Sequence, residues 1–146
     1  MKRKQLFSIL GLIVVLVFSL LLTGCGKQEG SEFIGTWKYN NPKNTESQSY
    51  VTIKKGDNDT FIVNTYGMYI AENRSSLTNE LRSSEKRSYK TESPATLKNG
   101  ILSFKDYQYY FNDKELKNNK GNTYTKYSDK VLTFQELNTD GYPEPK

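Results

Sequence analysis

From residue 33 to residue 138 the apolar positions recur with period two, in short runs cut by turn-forming residues. Residues 33–39 read FIGTWKY, a first strand candidate. Residues 49–55 put Val51 and Ile53 on one face and Tyr50 and Thr52 on the other. The cluster Gly56-Asp57-Asn58-Asp59 turns the chain into a partner strand over 60–66. Residues 95–98 and 101–105 flank Asn99-Gly100, a hairpin signal because both central residues of a type I′ turn need positive φ. Strand candidates follow at 107–112, 122–127 and 131–135, separated by turns at 118–121 and 128–130. Turn signals at this spacing predict a mostly β domain, either a small antiparallel meander closed into a barrel or a sandwich. Residues 69–84 break the rhythm. Ile70, Leu77 and Leu81 fall at roughly helical offsets, which predicts one short helix over the sheet, with a polar loop as the alternative. Residues 83–93 are polar and expected to be exposed, with 86–90 an edge-strand candidate.

The N-terminus has a different pattern. Lys2, Arg3 and Lys4 precede 17 uncharged residues, Leu6 to Leu22, and Leu22-Thr23-Gly24-Cys25 follows at once. A basic region, an apolar region and a small-residue cut site make a secretory signal. The last four residues resemble the lipobox of bacterial lipoproteins. That resemblance implies a diacylglyceryl group on the Cys25 sulfur and cleavage between Gly24 and Cys25. The alternative is a retained span: the apolar run extends about 26 Å as a helix, slightly short of a hydrocarbon core of about 30 Å. Two acyl chains give stable anchoring where one does not. The expected organisation is therefore a lipoprotein signal peptide over 1–24, a polar tether over 25–32, a β-rich domain over 33–138 and a flexible tail over 139–146.

Composition narrows the chemistry. The only cysteine is Cys25 and there is no histidine. With Cys25 acylated, disulfides, thiol nucleophiles and thiolate metal sites are excluded, and so are Ser-His-Asp and Cys-His catalysis. No cofactor is expected beyond the lipid. Loss of Lys2, Arg3 and Lys4 takes the formal charge from +5 to about +2. No basic block marks a nucleic-acid footprint. Asp57-Asn58-Asp59 lacks the longer calcium-loop pattern and reads as a plain turn. All eleven tyrosines lie after Cys25. Tyrosine joins an apolar ring to a polar tip and suits strands and contact surfaces alike.

Gly35-Thr36-Trp37 resembles the G-x-W signature of lipocalins, which implies a small barrel with the tryptophan plugging one end. Lipocalins also carry a T-D-x-Y motif in mid-chain and an arginine on a late strand beside the tryptophan. Here Thr139-Asp140-Gly141-Tyr142 lies near the C-terminus, and no arginine follows Arg87. Over most of its length the chain is similar to small Gram-positive lipoproteins that share an F-x-G-x-W opening and an L-x-x-G-x-L-x-F hairpin, here residues 33–37 and 97–104.

The candidate ligand contacts are Trp37, Tyr107, Tyr109 and Tyr110. Strict alternation puts Tyr107, Tyr109 and Phe111 on one face and Tyr110 on the other. The expectation is a non-enzymatic binding module, lipid-anchored on the outer side of the cell membrane. Its ligand would be a small apolar molecule inside a barrel, or an envelope protein or peptide on an aromatic face. An accessory or structural subunit of an envelope complex is the alternative, followed by an enzyme working through paired carboxylates. Replacing Cys25→Ser is expected to abolish labelling by radioactive palmitate and to leave the precursor uncut at Gly24; retained labelling with retained membrane association would refute the lipobox.

Overall fold

The computed structural model describes residues 29–40 and 47–146. The signal segment, the Gly24–Cys25 cut site and residues 25–28 of the tether lie outside the described residues. The chain divides into Met1–Ser31 and Glu32–Lys146, and the second unit carries the fold. Among the described residues no helix is long and apolar enough to cross a membrane.

The unit is an eight-stranded antiparallel barrel, closed, with strands in sequence order. A 3-10 turn at Ser31–Phe33 leads into β1 (Gly35–Tyr39), β2 (Gln48–Lys55), β3 (Thr60–Arg74) and β4 (Leu81–Lys98). There follow β5 (Ile101–Phe104), β6 (Tyr107–Asn112), β7 (Glu115–Asn118) and β8 (Thr123–Ser128). The barrel settles the choice that alternation left between barrel and sandwich. The two hairpins with the strongest turn signals form as expected. Asn58 and Asp59 take positive φ in the β2–β3 turn, and Asn99 and Gly100 take it in the β4–β5 turn.

Alternation sorts the side chains into two layers. Trp37, Val51, Ile53, Phe61, Val63, Ala95, Leu102, Tyr109, Leu116 and Tyr124 point inward and form one buried cluster with Phe33 and Phe104. Tyr50, Tyr66 and Met68 point outward from β2 and β3, yet they are buried too. The C-terminal segment covers them with Leu132, Phe134, Leu137 and Tyr142. Thr36 pins this strap: its hydroxyl donates to the Lys130 carbonyl at 2.7 Å and accepts from the Leu132 amide at 3.0 Å.

Three expectations are corrected. Residues 69–84 form no helix. They are the end of β3, a turn over 75–80 and the start of β4, and Ile70, Leu77 and Leu81 are all exposed. Their spacing is incidental, because this stretch is a two-stranded ribbon with no buried face to impose a period. Residues 131–135 are not a strand either. Thr133 caps a short helix, α1 (Phe134–Leu137), through a capping box: the Glu136 amide donates to Thr133 Oγ1, and Glu136 Oε2 accepts from the Thr133 amide at 2.7 Å. These bonds hold the Glu136 carboxyl below its ordinary pKa. Finally, within 139–146, expected as a flexible tail, Tyr142 is buried against α1 and is held there by paired bonds with Asn138.

Leu137 is 2% exposed and Leu77, at the ribbon tip, is 92% exposed. Leu137→Ala is therefore expected to lower the unfolding free energy by about 2–5 kcal/mol, whereas Leu77→Ala changes it by less than about 0.5 kcal/mol. Urea titration of the two variants measures the contrast, and equal effects would contradict the strap.

Candidate ligand-binding cleft

One end of the barrel is filled. Trp37 is fully enclosed and its indole Nε1 donates to the Phe33 carbonyl at 2.8 Å. Phe111 packs against both Phe33 and Trp37, with ring centroids 4.8 and 5.3 Å away. Lys126 closes this end: its ammonium lies 4.3 Å from the Trp37 ring centroid and donates to the Ile34 carbonyl at 2.6 Å. Burial lowers the Lys126 pKa, with Asp129 opposing the shift. A late-strand cation, Lys126, thus sits on the tryptophan. Gly35 makes the closure feasible. Its φ is +130°, and a Cβ there would meet the Ser128 carbonyl oxygen at 2.6 Å.

Among the described residues the other end is open. A cleft of about 480 Å³ is lined by Tyr39, Tyr69, Tyr89, Tyr107, Tyr109 and Tyr124, together with Phe104, Met68, Lys105, Asn122 and the hydroxyls of Ser49, Thr65, Thr91 and Ser93. That volume falls within the usual range for small-ligand sites. Phe104, Tyr107 and Tyr109 form one stack on β5 and β6, with Phe104 and Tyr109 5.4 Å apart and 9° from parallel. Tyr109 and Tyr124 approach at their hydroxyls, 3.4 Å apart, and Asn118 Nδ2 reaches the Tyr124 hydroxyl at 3.5 Å. Asn118 is itself fixed by the β7–β8 turn, where its Oδ1 accepts from the amides of Lys120 and Asn122 at 3.0 Å each.

The opposite wall depends on a missing side chain. Gly67 pairs with Tyr89 across β3 and β4, and the Tyr89 ring occupies the space a side chain would take. A Cβ on Gly67 would lie 2.0 Å from Tyr89 Cε1. The glycine lets the ring lie flat across β3, where it also meets Tyr69.

The four candidates from the sequence are not brought together. Tyr107 and Tyr109 line the cleft. Trp37 lies in the sealed end and is no wall of it, and Tyr110 points to the outer face. Tyr39, Tyr69, Tyr89 and Tyr124 were missed. Parity alone reaches Tyr39, which sits two residues from Trp37 on one strand, and Tyr89 is the lone aromatic of an otherwise polar run. Among the described residues no three His, Cys, Asp or Glu side chains form a metal-binding group. Among the described residues the lining holds no carboxylate, and Lys105 is its charged member. No known protein family, curated protein or solved structure matches the chain.

Burial raises the pKa of Tyr109 and Tyr124 above the ordinary phenol value of 10.0. Both are neutral at any physiological pH. Their stabilising contribution is complete below the unfolded pKa near 10 and is lost as pH climbs beyond it, because the unfolded chain then releases protons that the folded chain keeps. Urea denaturation at pH 9 and pH 11 is expected to show this loss, and Tyr124→Phe is expected to make it smaller.

Proposed function

We propose that the protein is a lipid-anchored, extracytoplasmic binding module whose ligand occupies the tyrosine-lined cleft. One observation carries the reading: a barrel filled at the Trp37 end and open at the other over about 480 Å³ of aromatic and hydroxyl-bearing wall. A fold that needed only a core would fill both ends. Tyrosine supplies large, rigid contact area with little rotamer entropy to lose, and its hydroxyl orients polar groups. The lining favours an amphipathic ligand over a purely apolar one, since hydroxyls and Asn122 stand among the rings. The lipobox supports an address at the outer side of the membrane. A second reading, an accessory subunit of an envelope complex, draws on the exposed Leu77 at the tip of the β3–β4 ribbon.

The test is occupancy. Native mass spectrometry of the full chain extracted in detergent is expected to show a bound mass. Tyr107→Ala, inside the cleft, should lose it, and Tyr110→Ala, on the outer face, should keep it. Loss in both or retention in both would place the ligand elsewhere.

A further inference from the structure

The lip of the cleft on one side is an unpaired strand edge. β4 runs beside β3 from Leu81↔Arg74 to Thr96↔Thr60. β5 pairs only with Thr96, Leu97 and Lys98 and then turns away into β6 through Lys105-Asp106. Among the described residues no strand pairs with the other edge of β4 over residues 81–95.

The backbone direction along that edge follows from three independent constraints. A two-residue Asn99-Gly100 turn makes Lys98 and Ile101 a hydrogen-bonded pair, so the amides of Lys98 and Thr96 face β5. The Gly56 amide donates to Thr60 at 2.9 Å. Alternation then turns Ile62 toward β2, so that the facing pair Ile62↔Pro94 exchanges no bonds. Pro94 itself has no N–H to donate and belongs where no neighbour needs one. All three place the peptide groups of Glu92, Lys90 and Ser88 on the free edge. The side chains between them, Tyr89, Thr91 and Ser93, line the cleft. Phe104, Lys105 and Tyr107 line it from across the opening.

From this we infer that β4 takes up an extended peptide as an added strand. The peptide bonds to the main chain of Ser88, Lys90 and Glu92, and every second side chain enters the tyrosine cleft. This deepens the reading of the cleft as a binding site and rests on it. Strand addition supplies affinity through main-chain bonds and specificity through pockets for alternate residues. The side chains entering between Tyr89 and Tyr107 meet aromatic faces and hydroxyls. Those on the outer side meet Lys90 and Glu92, which are exposed. The occupant is thus a segment of alternating apolar or aromatic and polar residues, free along its far edge.

The edge provides a clean variant. The Lys90 amide faces away from β3, so Lys90→Pro removes an edge donor and leaves the β3–β4 ladder intact, as Pro94 already does. Lys90→Ala removes the charge and keeps the donor. The probe is a phage-displayed library of random twelve-residue peptides, selected on the full chain in detergent micelles. The best enriched peptide is synthesised with a fluorophore, and its affinity is read by polarisation. Enrichment of alternating sequences is expected, with Lys90→Pro binding about tenfold more weakly, Lys90→Ala within about threefold of wild type, and Tyr107→Ala also impaired. Failure to enrich any peptide overturns the inference. So does wild-type affinity in Lys90→Pro: if Tyr107→Ala is still impaired, the cleft binds without strand addition, and if neither variant matters, the cleft reading falls as well. A wild-type dimer that Lys90→Pro dissociates would assign the edge to a second copy and overturn the peptide. Should Lys90→Pro fail to fold, the same peptide N-methylated at alternate amides replaces it, and unchanged affinity for wild type overturns the inference.

Discussion

The pairing of β1 with β8 is the contact on which the rest depends. It closes the sheet and leaves no edge at the seam between the first and last strands. A barrel closes only if its first and last strands can approach, and here the approach is crowded. Ser128 and Lys126 of β8 press on the backbone of Gly35, leaving no room for a side chain. The register also slips by one residue between Thr36 and Trp37, and this bulge turns Tyr127 outward against Tyr50. Once closed, β8 brings Lys126 over Trp37, and the sealed end is complete. Closure, the tryptophan plug and the cation on it are one packing event.

Filling one end in this way decides what the other can be. The inward layer changes character along the barrel. Near Trp37 it is Val, Ile, Phe and Leu. Toward the opposite end it becomes Ser49, Thr65, Gly67, Thr91 and Ser93, interleaved with tyrosines. Small and hydroxylated residues do not fill a barrel, so space remains, and the tyrosines that border it are large enough to shape it. Tyr109 and Tyr124 stand at the boundary between the two regions. Their rings belong to the core while their hydroxyls meet each other and Asn118, which is how a buried phenol satisfies its polar end.

Period-two alternation carried most of the architecture, because a strand with one buried face must alternate. Val51 and Ile53 against Tyr50 and Thr52, and Tyr107 and Tyr109 against Tyr110, are sorted by the barrel as their parity requires. Where no face is buried the signal vanishes. The β3–β4 ribbon past Met68 leaves Ile70, Leu77 and Leu81 exposed, so they carry no information about burial, and their helical spacing misleads. Residues 131–135 mislead differently. Val131, Thr133 and Gln135 alternate with Leu132 and Phe134, but the decisive word is Thr133-Phe134-Gln135-Glu136, a capping box already present in the sequence. Burial of Tyr50 and Tyr66 was not legible at all, since the strap that covers these outward residues lies far along the chain. The cleft was half legible. Its stacked aromatics come from one hairpin, β5–β6, whereas Tyr89 and Gly67 meet only through a pairing that the turn over 75–80 sets.

The lengths of β4 and β5 bring these themes together. β4 has 18 residues and β5 has 4. A barrel of equal strands would cover both edges of every strand, and here one edge of β4 runs bare past the cleft. Bare edges invite aggregation, and the sequence along this one carries the usual protections: Lys86, Lys90 and Glu92 in alternate positions, and Pro94 where the edge begins. The C-terminal segment adds a partial cover on the outer face, where Lys86 reaches the Asp140 carbonyl and Ser88 the Pro143 carbonyl. These contacts engage side chains, and among the described residues no strand pairs with the peptide groups of this edge. Charge and proline deter flat, apolar sheets from docking, yet they do not obstruct a single strand that offers polar groups outward and apolar groups toward the tyrosines. The same residues that keep the edge from random pairing therefore define what it can accept.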